Sequence, residues 1–503
     1  MQWNDWLQEC SGKQVVLYGL GAGSGNFLSR IDERVTLVGV IDNDERKAGM
    51  LLGAYKAEAY QREIGKICIR NSTYITQYDK EETVFVVASA KRYTEIVQEL
   101  QRNGFEQIYS IQDVGLALSD KDSLEQEQQR CAIAYCEEPI QQNKIIFYCY
   151  ANYADHEKYI SEALQQKNLE LDLVWLVNDN QVQLPLGTRK VLKSNWKQVL
   201  HEVETAKMWI ADVAVPMMWK KRTEQIYIQT KHWASVTLKK FYLDANTFDT
   251  EQDKLQHWKR ESEIIDCIVI GSEFDRESCK RGFAFDKEFI LAGSPRSDGL
   301  FRKENKEKVY RYYHLDEGVK VCMYAPTYRF SKEQGKSVHQ SREIALAYDK
   351  LQKALEVRFG GKWMIALRLH PSVRLAVKDM QLSNDVIDVS DYEDSEELVA
   401  AFAVTISDYS SLMFEPAFVR KPVFLYATDL KDYLENEYEL LIPYHQLPFD
   451  IAQNSDVLCD KIRNFDTLEY ERRVESFFRQ YGVDEDGHAS ERVAGIICAK
   501  LGG

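Results

Sequence analysis

A chain of 503 residues with 45% hydrophobic and 12% aromatic content can build on the order of three buried cores, which excludes a disordered or fibrous protein. Its 64 basic residues against 79 acidic ones leave a net charge of −15, which on average repels a phosphate backbone and argues against a general nucleic-acid binder. Ten cysteines with no C-x-x-C pair and no Cys/His zinc spacing point to reduced, mostly buried thiols in a cytoplasmic protein rather than to disulfides or a structural metal.

Residues 1–13 lack the basic and apolar regions of a signal peptide; Trp3, Trp6 and Leu7 mark a short amphipathic helix instead. No run of roughly 18 or more apolar residues occurs, so no spanning helix is expected and a lipid substrate would be reached from the side. A strand over 14–18 leads into Gly19-Leu20-Gly21-Ala22-Gly23-Ser24-Gly25, a helical stretch to Arg30 and a second strand ending at Asp42. This is the opening of a Rossmann-like fold, in which Gly19 and Gly21 would let a phosphate approach and Asp42 would hold a ribose. Ser24 stands where a third glycine is expected, and Asp42-Asn43-Asp44 also matches a metal-holding D-x-D, so a nucleotide site and an ordinary structural turn both stay open. Strands at 66–69, 84–88 and 107–111 with a helix over 93–103 complete a domain at 1–112.

Residues 113–142 are polar and helix-prone, the pattern of a linker. Strands at 144–150, 171–177, 208–212 and 226–229 alternate with helices in a second Rossmann-like domain, 143–300. Within it Met217, Met218 and Trp219 adjoin Lys220, Lys221 and Arg222, a pattern that fits an anionic lipid surface or, equally, a buried helix end with a basic rim. Strands at 320–324, 363–369, 386–389, 404–406 and 422–426, then helices over 467–480 and 491–501, form a third domain, 301–503. The fold class is therefore α/β: two tandem Rossmann-like domains in a GT-B architecture, preceded by a smaller Rossmann-like domain.

Ligands of such sheets bind beyond the carboxyl ends of the strands. There the sequence places Lys231 and His232, with Lys239 further on; Thr327 and Arg329; Arg368 and His370; and Asp408, Ser410 and Ser411, followed by Glu415. The last group reads as strand, polar turn and helix start, with Ser410 or Ser411 as cap. Free N–H groups and the positive end of the helix dipole would suit a phosphate, while an ordinary capped helix is the alternative. Arginines, a helix start and two histidines together describe a phosphoryl-transfer site.

Six ordered segments resemble the CDP-glycerol glycerophosphotransferases that build teichoic acid chains. They are Gln229-Thr230-Lys231-His232 with Lys239, Gly293-Ser294-Pro295-Arg296-Ser297-Asp298, Ala325-Pro326-Thr327-Tyr328-Arg329, His370-Pro371, Ser407-Asp408-Tyr409-Ser410-Ser411 with Phe414-Glu415, and Asp486-Gly487-His488-Ala489-Ser490-Glu491-Arg492. The resemblance covers about 144–497 and implies a GT-B fold, CMP as product and a donor such as CDP-glycerol or CDP-ribitol. It also implies a lipid-linked glycopolymer acceptor at the cytoplasmic face of the membrane.

It makes His232 and His370 the essential histidines, and Arg329, Arg368, Thr327, Asp408, Ser410, Ser411 and Glu415 the donor-binding set. Lys231 and Lys239 fall on the acceptor side. No cofactor or metal is expected. Where the family has Trp-His-Gly this chain has Lys231-His232-Trp233, and Glu415 replaces the usual Asp. A nucleotide-sugar glycosyltransferase and a catalytically degenerate scaffold are the competing readings.

Overall fold

The computed structural model describes residues 2–59, 62–90, 92–116, 120–167, 170–245, 252–327, 346–369, 385–436 and 439–502. The chain divides into two compact units, Met1–Pro139 and Ile140–Gly503.

In the first unit, β1 (Gln14–Tyr18), β2 (Thr36–Ile41), β3 (Ile69–Arg70), β4 (Thr83–Val87) and β5 (Ile108–Ser110) form a parallel sheet in the order β3-β2-β1-β4-β5. Side chains of β1 alternate between two cores: Val15 and Leu17 pack with Trp6 and Phe27 on one face, Val16 and Tyr18 with Phe85 and Phe105 on the other. The helix Asp120–Cys136, expected as a linker, belongs to this unit. Gln129 accepts from Thr94 N at 3.0 Å and Arg130 pairs with Asp113 at 2.6 Å, because the polar face of the helix carries the partners for those groups.

The second unit holds two sheets. β6 (Gln141–Tyr148), β7 (Asp172–Val177), β8 (Thr188–Leu192), β9 (Ala206–Ala211), β10 (Ile226–Gln229), β11 (Cys267–Ile270) and β12 (Glu288–Leu291) run in the order β12-β11-β10-β9-β6-β7-β8. β13 (Val319–Ala325), β14 (Lys362–Leu367), β15 (Val386–Asp388), β16 (Val404–Ser407), β17 (Val423–Tyr426) and β18 (Asp450–Ala452) run β15-β14-β13-β16-β17-β18. Both are parallel throughout and thus need helices on both faces.

The chain crosses back at its end. Phe477 and Phe478 of the helix Thr467–Tyr481 join the core of the six-stranded sheet, while Val493, Ala494 and Ile497 of Ala489–Lys500 join that of the seven-stranded one. The Asp298 carboxylate caps that last helix, accepting from Ala489 N at 3.0 Å and Ser490 N at 2.7 Å.

Candidate active site

Strand register brings the site together. Tyr148, Ala211 and Gln229 lie level at the carboxyl ends of β6, β9 and β10, so Cys149, Asp212 and Thr230 begin adjacent loops. In the other sheet Leu367 pairs with Tyr324 and Ser407 with Ala325, which places Arg368, Pro326 and Asp408 at one edge.

The loop after β10 turns sharply at Lys231, whose φ of +59° is left-handed and costs a non-glycine residue about 1 kcal/mol. The turn sends Lys231 inward, where its ammonium pairs with the fully buried Asp275 at 3.0 Å and donates to the carbonyls of Trp233 and Ala234. This corrects the acceptor-side reading of Lys231: the side chain holds the loop from beneath. Trp233, in the glycine position of the resemblance, is also buried, donating Nε1 to Asp275 at 3.0 Å and packing on Phe241.

Between these two buried residues His232 is exposed. Surrounding protein desolvates its ring and lowers its pKa below the ordinary imidazole value, helped by Arg296 and Lys231 and opposed by Asp155 and by a hydrogen bond to the main chain of Asp212. The ring is thus a neutral base near neutral pH, open to a substrate.

Arg296, carried by the 3-10 segment Pro295–Phe301, is the hub of the unit. Its Nη1 donates to Asp155 Oδ2 at 2.8 Å and to the His232 carbonyl at 3.1 Å; its Nε donates to Glu396 Oε1 at 2.7 Å and its Nη2 to Ser395 Oγ at 3.0 Å. Glu415 approaches Nη2 at 3.3 Å. Burial pushes the carboxyls of both Glu396 and Glu415 upward, against the pull of Arg296. Glu415, expected to bind donor, is instead buried in this hub, its longer side chain reaching Arg296. Arg296 stood inside a quoted motif, but nothing in its spacing signals an arginine bridging two halves.

Among the residues expected to bind the donor, Asp408 is buried, and its Oδ1 accepts from the main chain and hydroxyl of Thr327, fixing the turn after β13. Ser410 Oγ caps Leu412 N at 3.3 Å, and Ser411 Oγ meets Thr237 Oγ1 and Leu238 N, both at 3.2 Å, from the other half. The expected helix is short: a 3-10 turn over Ser411–Met413, then Phe414–Phe418. The left-handed Arg420 ends it after five residues, so the macrodipole contribution is small and individual N–H groups dominate. Nη1 of Arg368 donates to the carbonyls of Val389 and Tyr392 at 3.3 and 2.9 Å, a brace for the β15 loop. Lys239 pairs with Leu440 across the two halves and sits over the Tyr433 ring at 5.4 Å, which moves it from the acceptor side to the seam. Arg329 and His370 lie outside the described residues.

Cys149, Glu157 and Asp212 bring donor atoms within 4.8 Å of one another, all buried. The thiol donates to Asp212 Oδ2 at 3.3 Å and Thr230 Oγ1 to Glu157. Burial raises all three, Asp212 to about 7, so charge is disfavoured in this cluster beneath the His232 loop.

In the first unit Gly19 has a φ of +91°, and a Cβ there would sit 3.0 Å from Ser89 Cβ; a Cβ on Gly21 would sit 3.0 Å from the Ala88 carbonyl. Close packing against the end of β4 therefore accounts for both glycines. Asp42 accepts from Leu20 N at 2.8 Å, Asp44 N at 2.9 Å and Lys47 at 3.1 Å. Asp42 thus braces the glycine loop, and Asp44 is paired with Arg46.

The chain is 26% identical over 375 residues to a teichoic acid poly(glycerol phosphate) polymerase of Staphylococcus epidermidis, covering 72% of this chain and 51% of that protein. It is 28% identical over 364 residues to a teichoic acid glycerol-phosphate transferase of Staphylococcus aureus, covering 69% and 90%. It thus spans about half the length of the first relative and most of the second. The solved wall teichoic acid polymerase TagF superposes with a TM-score of 0.66 at 24% identity, over 76% of this chain and 96% of that one, a likeness of fold. A family model, CDP-Glycerol:Poly(glycerophosphate) glycerophosphotransferase, matches residues 131–499, well over half the chain. With the GT-B sheets and the loop after β10 in place, the chain belongs to the CDP-glycerol:poly(glycerophosphate) glycerophosphotransferase family.

Proposed function

We propose that the protein transfers a polyol phosphate, glycerol phosphate or ribitol phosphate, from a CDP-linked donor to a hydroxyl of a lipid-linked teichoic-acid-like or capsular glycopolymer. CMP is released. The observation that carries the reading is His232: an exposed imidazole, lowered in pKa, on a main chain clamped by Arg296. Its neutral ring nitrogen takes the proton of the acceptor hydroxyl as oxygen attacks the β-phosphorus in line, a contribution of about a hundredfold to ten-thousandfold in rate.

CMP is a good leaving group, so alignment and charge stabilisation carry most of the remainder. His370 and Arg329 are assigned to the diphosphate by the family resemblance, together with N–H groups at Ser410 and Ser411. Support for the donor comes from relatives: a TagF structure is described as soaked with CDPG, and relatives are named as glycerol-phosphate and ribitol-phosphate polymerases.

No step needs a cofactor in this scheme, and activity is expected to survive EDTA; loss that magnesium restores would overturn it. Among the described residues no helix is long and apolar enough to cross a membrane; contact with a lipid-linked acceptor at the cytoplasmic membrane surface follows from the family resemblance alone. At the 216–222 loop Met217 is 42% exposed, while Trp219 is buried and Lys221 pairs with Asp266 at 3.0 Å. The deciding experiment is incubation with acceptor and CDP-glycerol, CDP-ribitol or sugar nucleotides. CMP from a CDP-polyol supports the proposal, UDP or GDP from a sugar nucleotide favours a glycosyltransferase, and no release favours a scaffold.

A further inference from the structure

Two non-glycine residues flank the proposed base in the left-handed region, Asp155 at φ +58° and Lys231 at φ +59°. Such conformations cost about 1 kcal/mol each and persist where surrounding contacts over-determine them. Asp155 opens the helix Asp155–Gln166, and its Oδ1 accepts from His156 N at 2.8 Å while its Oδ2 takes Arg296 Nη1 at 2.8 Å. The same Nη1 donates to the His232 carbonyl at 3.1 Å. Arg296 N faces His156 Nδ1 at 3.4 Å, and His156 Nε2 meets the Trp233 carbonyl at 3.0 Å. The carbonyls of His232 and Trp233 are therefore tied to one arginine, directly and through His156, and its far side is held by Ser395, Glu396 and Glu415 of the other half.

We propose that Arg296 and Asp155 form the positioning pair of His232, fixing the imidazole against a donor held by the other half of the molecule. Resting on the transfer reading above, the inference adds a built-in alignment between acceptor base and donor half. A planar fork is required, since Arg296 serves four acceptors through three separate nitrogens, Asp155 and the His232 carbonyl at Nη1, Glu396 at Nε and Ser395 at Nη2, one more than the three N–H donors of an ammonium. The two charges also act on the base in opposite senses. Arg296 disfavours the imidazolium and Asp155 favours it.

Arg296→Met would strand the buried carboxylates of Glu396 and Glu415 and the half-buried one of Asp155 and threaten the fold itself, so Arg296→Lys and Asp155→Asn carry the test. With Arg296→Lys, which keeps the charge but not the fork, the fold is expected to persist at a lowered melting temperature, while kcat falls about a hundredfold, the scale of a small misplacement of a reacting group, with KM for the CDP-polyol unchanged. Wild-type kcat in the folded variant would overturn the proposal.

In Asp155→Asn the loss of a negative charge lowers the His232 pKa, so the acid limb of the pH profile moves to lower pH. The same titration followed by NMR on the assigned His232 ring needs no turnover. An unmoved ring pKa in Asp155→Asn would overturn the pairing whether or not Arg296→Lys folds. If wild-type protein releases no CMP from any CDP-polyol, the transfer reading fails, and the NMR titration still decides the pairing.

Discussion

An imidazole that accepts a proton near neutral pH works when its own pKa lies at or below that pH, and His232 meets this through desolvation rather than through a partner carboxylate. Because the base acts deprotonated, kcat/KM should rise with pH along a limb below the ordinary imidazole value of about 6.5 and be flat above it. A limb centred above that value would assign the proton to another group. His232→Ala should lower turnover by about a hundredfold to ten-thousandfold without moving the melting temperature, since the ring is exposed.

Lys231 makes the opposite prediction. Lys231→Ala leaves Asp275 buried beside Trp233 Nε1 and Gly271 N without its cation, and should cost roughly 3 to 5 kcal/mol in denaturant unfolding. An altered acceptor KM at unchanged stability would restore Lys231 to the acceptor side. From the sequence, two adjacent polar residues at a strand end look alike; the left-handed turn that sends one inward and the other outward is a backbone property that residue type does not announce.

At the scale of elements, the segment from β16 through Phe418 carries the donor-side argument. Its strand was readable because Val404, Thr405 and Ile406 are β-branched and buried, and its cap because serines at a strand exit accept backbone N–H groups. The length of the helix was not: Leu412, Met413 and Ala417 have helical spacing, but the left-handed turn at Arg420 stops it.

The donor-binding role assigned to the serines therefore rests on local N–H groups, and Ser411 has a second duty against Thr237 and Leu238 of the other half. Replacing Ser410 and Ser411 together by Ala should raise KM for the CDP-polyol while lowering stability by only about 1 kcal/mol, the worth of one cap. Unchanged donor affinity with that stability loss would reduce both to capping. The strands absent from the sequence reading, β8, β11, β12 and β18, have physical reasons for their silence. Three are sheet edges, with polar or exposed positions such as Arg189, Glu288 and Asp450, and β11 is four residues following a charged helix.

Across the whole molecule, the apolar cores respect the division into two units. Trp6, Val15, Phe27 and Val86, and on the other face Val16, Phe85 and Leu100, close the cores of the first. Those of the second draw on residues from Ile145 to Ile497. Each unit thus removes its own apolar surface from water, and the C-terminal helix that crosses back does so within the second.

The family match begins at residue 131, inside the helix Asp120–Cys136, which packs with the first unit. A chain beginning at Glu137 should then unfold cooperatively on its own and release CMP from a CDP-polyol at a rate comparable to the full chain. That measurement separates two roles for residues 1–136. If turnover persists, the glycine loop braced by Asp42 serves something other than the transfer, and a nucleotide added to the isolated first unit should be scored by calorimetry. If the truncated chain folds but turnover is lost, the first unit contributes to the reaction itself, and the assignment of catalysis to the second unit alone falls.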